Sequence, residues 1–193
     1  TTVQYTAIGY PAAAQGIFNN GRVLLLAPTD ANNDGQADRA DSMVVDGWPI
    51  ALQINSALWI ATDKGKLYYK PTVGASLVTV AFGIDSIQGL VQLGRGIGVL
   101  SVQGNATSLR TYSPLNTFAS SNIYGLTDRM TLGPVAGDIN GDGLTELFVF
   151  STDGLGAVMS VDTNALPSSS GGFKESDLHQ TFTSNPVLAD VDN

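Results

Sequence analysis

Two stretches place oxygen-bearing side chains at alternate positions around a glycine. One reads Asp138-Ile-Asn140-Gly-Asp142-Gly-Leu144-Thr-Glu146, the other Asp30-Ala-Asn32-Asn-Asp34-Gly-Gln36-Ala-Asp38. Carboxylates and amides two residues apart point inward together when a loop curls tightly, which is how a short segment wraps a hard cation such as Ca²⁺. In the first loop Asp138, Asn140 and Asp142 are expected to give side-chain oxygens, Leu144 its backbone carbonyl, and Glu146 the closing carboxylate. In the second, Asp30, Asn32, Asp34, the Gln36 carbonyl and Asp38 take the same parts, and Asp41 stands at the twelfth position with a further oxygen to offer. A polar Gly-Asp turn has a similar composition, but two matches to one template argue against coincidence. Asp190-Val-Asp192-Asn193 is the first half of a third such loop, without its glycine and later ligands. It leads to the expectation that the natural protein continues.

Strands must position these loops. Leu147-Phe-Val-Phe150, rich in β-branched and aromatic residues, reads as a buried strand directly after Glu146. The same shape, a short apolar piece, a turn and a longer apolar strand, recurs in Ile17–Leu26, Pro49–Ile60, Gly89–Leu100 and Pro134–Phe150, and begins again at Pro186. The spacing is about 40 to 50 residues, the period of propeller blades. Approximate blades are 12–48, 49–88, 89–133 and 134–185, with 186–193 opening another. A third strand follows the second in three copies, at Lys66–Lys70, Ser108–Tyr112 and Ala157–Val161, and Leu77–Phe82 reads as an outer fourth strand. Residues 1–6 suggest a strand and Pro11–Ala14 a connector. No stretch keeps a helical period. The predicted fold is all-β, a β-propeller with blades of about four antiparallel strands, present here as about four blades of a larger ring.

The Asp138 loop departs from an EF-hand at its end, since the twelfth position is Val149 and a strand rather than a helix follows. A calcium loop leading into a strand, with Gly133-Pro-Val-Ala-Gly137 just before it, resembles the FG-GAP or VCBS repeat of integrin-α-like β-propellers. That resemblance implies structural calcium at blade ends. It also implies a secreted or cell-surface module that adheres to, or binds, a protein or glycan, with the remainder of the same propeller as a partner. The stretch Thr29–Trp48 also resembles quinoprotein sugar dehydrogenase propellers, and the loop type is similar to that of PilC/PilY-type propellers. The competing expectation is therefore a propeller enzyme, such as a quinoprotein-like sugar dehydrogenase or a polysaccharide lyase.

Composition narrows the field. The chain has 193 residues, 43% hydrophobic and 13% charged, with 22 glycines and no cysteine. That is a globular, turn-rich composition without disulfides or thiolate chemistry. The formal net charge is −8, with only 9 Lys plus Arg, which argues against a nucleic-acid partner. No apolar run is long enough to span a membrane as a helix. Catalytic signals are sparse. His179 is the sole histidine, no nucleophile elbow appears, and Gly94-Arg-Gly-Ile-Gly98 joins two strands rather than a strand and a helix, so it is a poor phosphate cradle. Trp48, Trp59, Tyr68, Tyr69, Tyr112 and Tyr124 are placed either to line a sugar-binding surface or, more economically, to pack the sheets. Asn105-Ala-Thr107 matches a glycosylation sequon.

Overall fold

A computed structural model of the chain describes residues 6–11, 20–54, 57–119, 121–126, 129–139, 141–142, 144–161 and 174–187. Their regular structure is strand, apart from one 3-10 turn at Pro114–Asn116. No helix among them is long and apolar enough to cross a membrane. The chain divides into two compact units, Thr1–Ile84 and Asp85–Asn193.

The first unit holds two antiparallel sheets. β1 (Thr6–Pro11), β2 (Asn20–Leu26) and β3 (Arg39–Asp46) form one; β4 (Pro49–Ile54), β5 (Leu58–Thr62), β6 (Leu67–Lys70) and β7 (Val78–Ala81) form the other. Alternation along a pleated strand puts every second side chain on one face. Val23 and Leu25 of β2 and Met43 and Val45 of β3 thus share a face, and they pack with Leu58, Ile60 and Tyr68 of the second sheet. Each such side chain, fully buried, contributes roughly 1.5–3 kcal/mol. The first strands approach closely because one side is glycine: a Cβ on Gly9 would lie 2.7 Å from Pro49 Cβ.

The second unit repeats this plan. β8 (Ile87–Leu93), β9 (Gly96–Gln103), β10 (Ala106–Tyr112) and β11 (Ser121–Leu126) form one sheet. β12 (Leu132–Gly137), β13 (Thr145–Phe150), β14 (Leu155–Val161) and β15 (Lys174–Asp177) form the next. Val91, Leu93, Leu100 and Leu109 meet Met130, Leu147, Val149 and Ala157 in one core. A Cβ on Gly89 would lie 2.6 Å from the Gly133 carbonyl oxygen and 2.8 Å from Pro134 Cδ, the same glycine-against-proline approach.

The order of strands departs from the sequence reading at one end. β1 spans Thr6–Pro11 and supplies the first strand of the first sheet, where the sequence suggested a strand ending at Thr6 and a connector from Pro11. Ile17 and Phe18, which began the first copy, lie outside the described residues. The short β11 and β15 complete their sheets without having been anticipated. Lys174-Glu-Ser-Asp177 in particular has no apolar alternation for a strand reading to use.

Candidate functional site

The Asp30 loop is the tip of the β2–β3 hairpin. The ladder continues past Leu26, with Ala27 N–H donating to the Asp38 carbonyl at 2.9 Å and Asp38 N–H to the Thr29 carbonyl at 2.9 Å. Above this base the acidic side chains bend the loop. Asp30 accepts from Asp34 N–H at 3.0 Å and Gly35 N–H at 2.8 Å. Asp34 accepts from Gln36 N–H at 2.8 Å, and Asp38 from Ala31 N–H at 2.7 Å. Asn32 accepts from Asp34 N–H at 3.2 Å and donates to the Asp34 carboxylate at 3.0 Å. Gly35 has φ +79° and nothing near its Cβ position, so conformation rather than space demands the glycine. Asp30, Asn32, Asp34, Gln36 and Asp38 therefore share one curl, and it stands in solvent.

The Asp138 loop joins β12 to β13 and is anchored differently. Asp138 accepts from Gly141 N–H at 2.8 Å and Asp142 from Leu144 N–H at 2.8 Å. Glu146 is already in β13, only 7% exposed, and its carboxylate reaches back to accept from Ile139 N–H at 3.0 Å. Val149, at the twelfth position, is fully buried in that strand, as the strand reading requires. Asn140 lies outside the described residues, and so do Asp190 and Asp192. Leu144 is exposed, with its backbone in the loop.

Among the described residues no three Asp, Glu or His side chains converge as a metal cage. The donor chemistry nonetheless fits a hard cation: side-chain oxygens alternate along each curl, and a carboxylate offers about four lone-pair sites. Asp41, at the twelfth position, has partners outside the loop. It sits in β3 and pairs with Lys70 Nζ at 2.8 Å, where Lys70 is 5% exposed, and it accepts from Gly74 N–H at 2.8 Å. The Lys70 bond, with Gly74 in support, holds its carboxyl below the ordinary value of 3.8 against partial desolvation. That carboxylate thus ties β3 to Lys70 of β6 and to the turn at Gly74.

The aromatic residues pack more than they display. Trp59 is 1% exposed and tilts against Tyr69 at a ring separation of 4.7 Å. Tyr68 and Tyr112 are buried as well, whereas Trp48 is 43% exposed. The Tyr124 side chain lies outside the described residues. Thr107 of the sequon is buried and accepts from Met130 N–H at 2.7 Å. His179 is exposed, 3.1 Å from Asp177. Two features had no signal in sequence. Asp46 meets Lys64 and Lys66 at 2.5 Å each, and these hydrogen bonds lower its carboxyl to about 2. A polar cavity of about 790 Å³ involves Asn105, Arg129 and Asp153 in the second unit. Their partners are far apart in sequence, so no local motif marks them.

No protein-family model matches the chain, and no curated protein matches it in sequence. Among solved structures it is similar to BBS1N in complex with ARL6DN, at 17% identity and a TM-score of 0.51, over 82% of this chain and 52% of that one. It is also similar to YCF48 bound to D1 peptide, at 16% identity and a TM-score of 0.46, over 82% of this chain and 51% of the other. Hsv2 of Kluyveromyces lactis matches at 14% identity and a TM-score of 0.46, over 84% of this chain and 47% of the other. The chain thus spans about half the length of each. At such identities the likeness speaks to fold alone. Together with the four antiparallel sheets of three or four strands among the described residues, the likeness to BBS1N makes the fold class all-β, of the β-propeller type.

Proposed function

We infer that this β-propeller chain is a calcium-binding module of the FG-GAP or VCBS kind, working outside the cell as a binding or adhesion surface. The observation that carries the reading is the bond from Ile139 N–H to the buried Glu146 carboxylate. It closes the Asp138 loop at its base with a charged group that a bound cation would neutralise. Asp138, Asn140, Asp142, the Leu144 carbonyl and Glu146 would hold one Ca²⁺; Asp30, Asn32, Asp34, the Gln36 carbonyl and Asp38 would hold another. Asp190 and Asp192 would begin a third site. The metal's part is structural: it offsets repulsion among carboxylates and pins the loops that end the strands. Millimolar extracellular calcium keeps even modest sites filled, which favours a secreted or surface location. A protein or glycan partner is in keeping with the fold. BBS1N, the propeller neighbour above, is seen with ARL6DN, although fold by itself does not choose a partner.

The test is thermal unfolding of chelated protein titrated with Ca²⁺ and, separately, with Mg²⁺. Calcium at about a hundred times its Kd should stabilise by roughly 2.7 kcal/mol, Mg²⁺ by much less, and Asp142→Ala and Asp34→Ala should each remove part of the gain. An unchanged melting temperature in calcium, with both variants melting like the parent, would reduce the loops to acidic turns.

A further inference from the structure

We propose that the polar cavity of the Asp85–Asn193 unit binds a short zwitterionic peptide, its carboxylate on Arg129 and its ammonium group between Asp153 and Asp177. The cavity holds about 790 Å³, within the range of small-ligand sites. Four elements supply its polar side chains. Asn105 comes from the β9–β10 turn, Arg129 and Thr131 from the connection into β12, Thr152 and Asp153 from the β13–β14 turn, and Asp177 from the end of β15. Among the described residues of the lining, Leu155 is the one apolar member.

The walls are held from behind. Met130, between the two lining residues of its segment, is fully buried, and its N–H donates to Thr107 Oγ1 at 2.7 Å. Thr131 N–H donates to the Phe150 carbonyl at 3.1 Å. Arg129 and Thr131 therefore project from a segment fixed on both sheets. Opposite, Ser151 N–H donates to the Leu155 carbonyl at 2.8 Å, Leu155 N–H returns to Ser151 Oγ at 2.9 Å, and Ser151 Oγ donates to the Asp153 carboxylate. Gly154 is pressed beneath the incoming chain, where a Cβ would lie 2.1 Å from the Gln180 carbonyl oxygen. His179 N–H donates to Asp177 at 2.8 Å. Backbone anchored in this way lowers the entropy a ligand must remove on binding.

The charges select the ligand. Among the described residues Arg129 makes no ion pair, although Asp153 and Asp177 line the same cavity. The first unit solves the corresponding problem internally. There Asp46, from the end of β3, meets Lys64 and Lys66 of the β5–β6 turn at 2.5 Å each. In the second unit the signs are reversed, cation on the connection and carboxylate on the turn, and the two are left apart. A molecule carrying both charges would bridge them. Two carboxylates and a formal net charge of −8 disfavour a polyanion, and the guanidinium disfavours a bare metal ion.

The inference does not depend on calcium, so the experiment is run on the full chain in calcium and again in chelator. Trialanine with free termini is titrated while backbone amide resonances are followed. Saturable shifts at Asn105, Arg129, Thr131 and Thr152 are expected, with binding about tenfold weaker for the C-amidated and the N-acetylated peptides. Arg129→Ala should erase the preference for a free carboxylate, Arg129→Lys should restore part of it, and Asp153→Asn should weaken the preference for a free amine. Equal binding of free and blocked peptides, or saturation by a neutral disaccharide and not by trialanine, would overturn the proposal. Should Arg129→Ala fail to fold, the blocked peptides on the parent chain decide the matter.

Discussion

The two acidic loops share a ligand template and differ in what holds them. In the Asp30 loop every carboxylate bends back onto the loop's own N–H groups, with Asp34 exposed and Asp30 and Asp38 half-buried. In the Asp138 loop the last carboxylate, Glu146, belongs to a strand and is buried. One loop is a hairpin tip that can change shape without disturbing a sheet; the other is tied into a core that includes Leu147 and Val149. Equal spacing in sequence thus yields unequal coupling to stability. The residues at the twelfth position sharpen the contrast. Val149 is core, while Asp41 neutralises a buried lysine.

The comparison can be broken most directly at Asp41. Asp41→Ala should destabilise by about 3 kcal/mol, because it leaves Lys70 as an uncompensated buried cation. The loss should be the same with calcium or chelator, as measured by urea unfolding in each; a loss seen only in calcium would return Asp41 to the metal loop. Glu146→Ala comes next, at about 2 kcal/mol even in chelator, since it strands the Ile139 N–H and empties a packed site. Glu146→Gln should recover most of this without calcium and little of it with calcium. Asp38→Ala should cost less than about 1 kcal/mol in chelator, as an exposed loop bond does, and show its larger effect only when calcium is present. If Asp38→Ala and Glu146→Ala prove equally harmful in chelator, the distinction between the loops fails.

The smallest effect is expected at Asp46. Lys64 and Lys66 place its folded-state carboxyl at about 2, against an ordinary 3.8. A depressed folded value stabilises fully above the unfolded value, and that contribution fades as pH falls through about 2. Acid titration of stability should therefore be slightly flatter between pH 4 and 2 for Asp46→Asn than for the parent. Identical slopes would show that the exposed pairing is screened away.

Much of the architecture was legible because strand alternation is local. Leu58–Thr62 with Leu67–Lys70, and Thr145–Phe150 with Leu155–Val161, appear where apolar alternation and a Gly-Asp turn predict hairpins. β15 was not legible, because an outer strand with little to bury carries no apolar signature. The acidic template was legible because its curl needs residues only a few positions apart. Its unequal anchoring was not, since the burial of Glu146 depends on what packs around β13.

The sequence by itself determined the repeated strand-turn-strand unit, the two ligand-spaced loops and the glycines that let chain pass close to chain. Each of these is a matter of neighbours along the backbone: pleat alternation, donor spacing, a permitted φ. Tertiary structure alone decided that Asp41 answers Lys70, that Asp46 collects two lysines, and that Arg129 shares a cavity with two carboxylates it does not pair with. Electrostatic partners are chosen by distance in space, and only sheet pairing and packing bring such residues within a few ångströms.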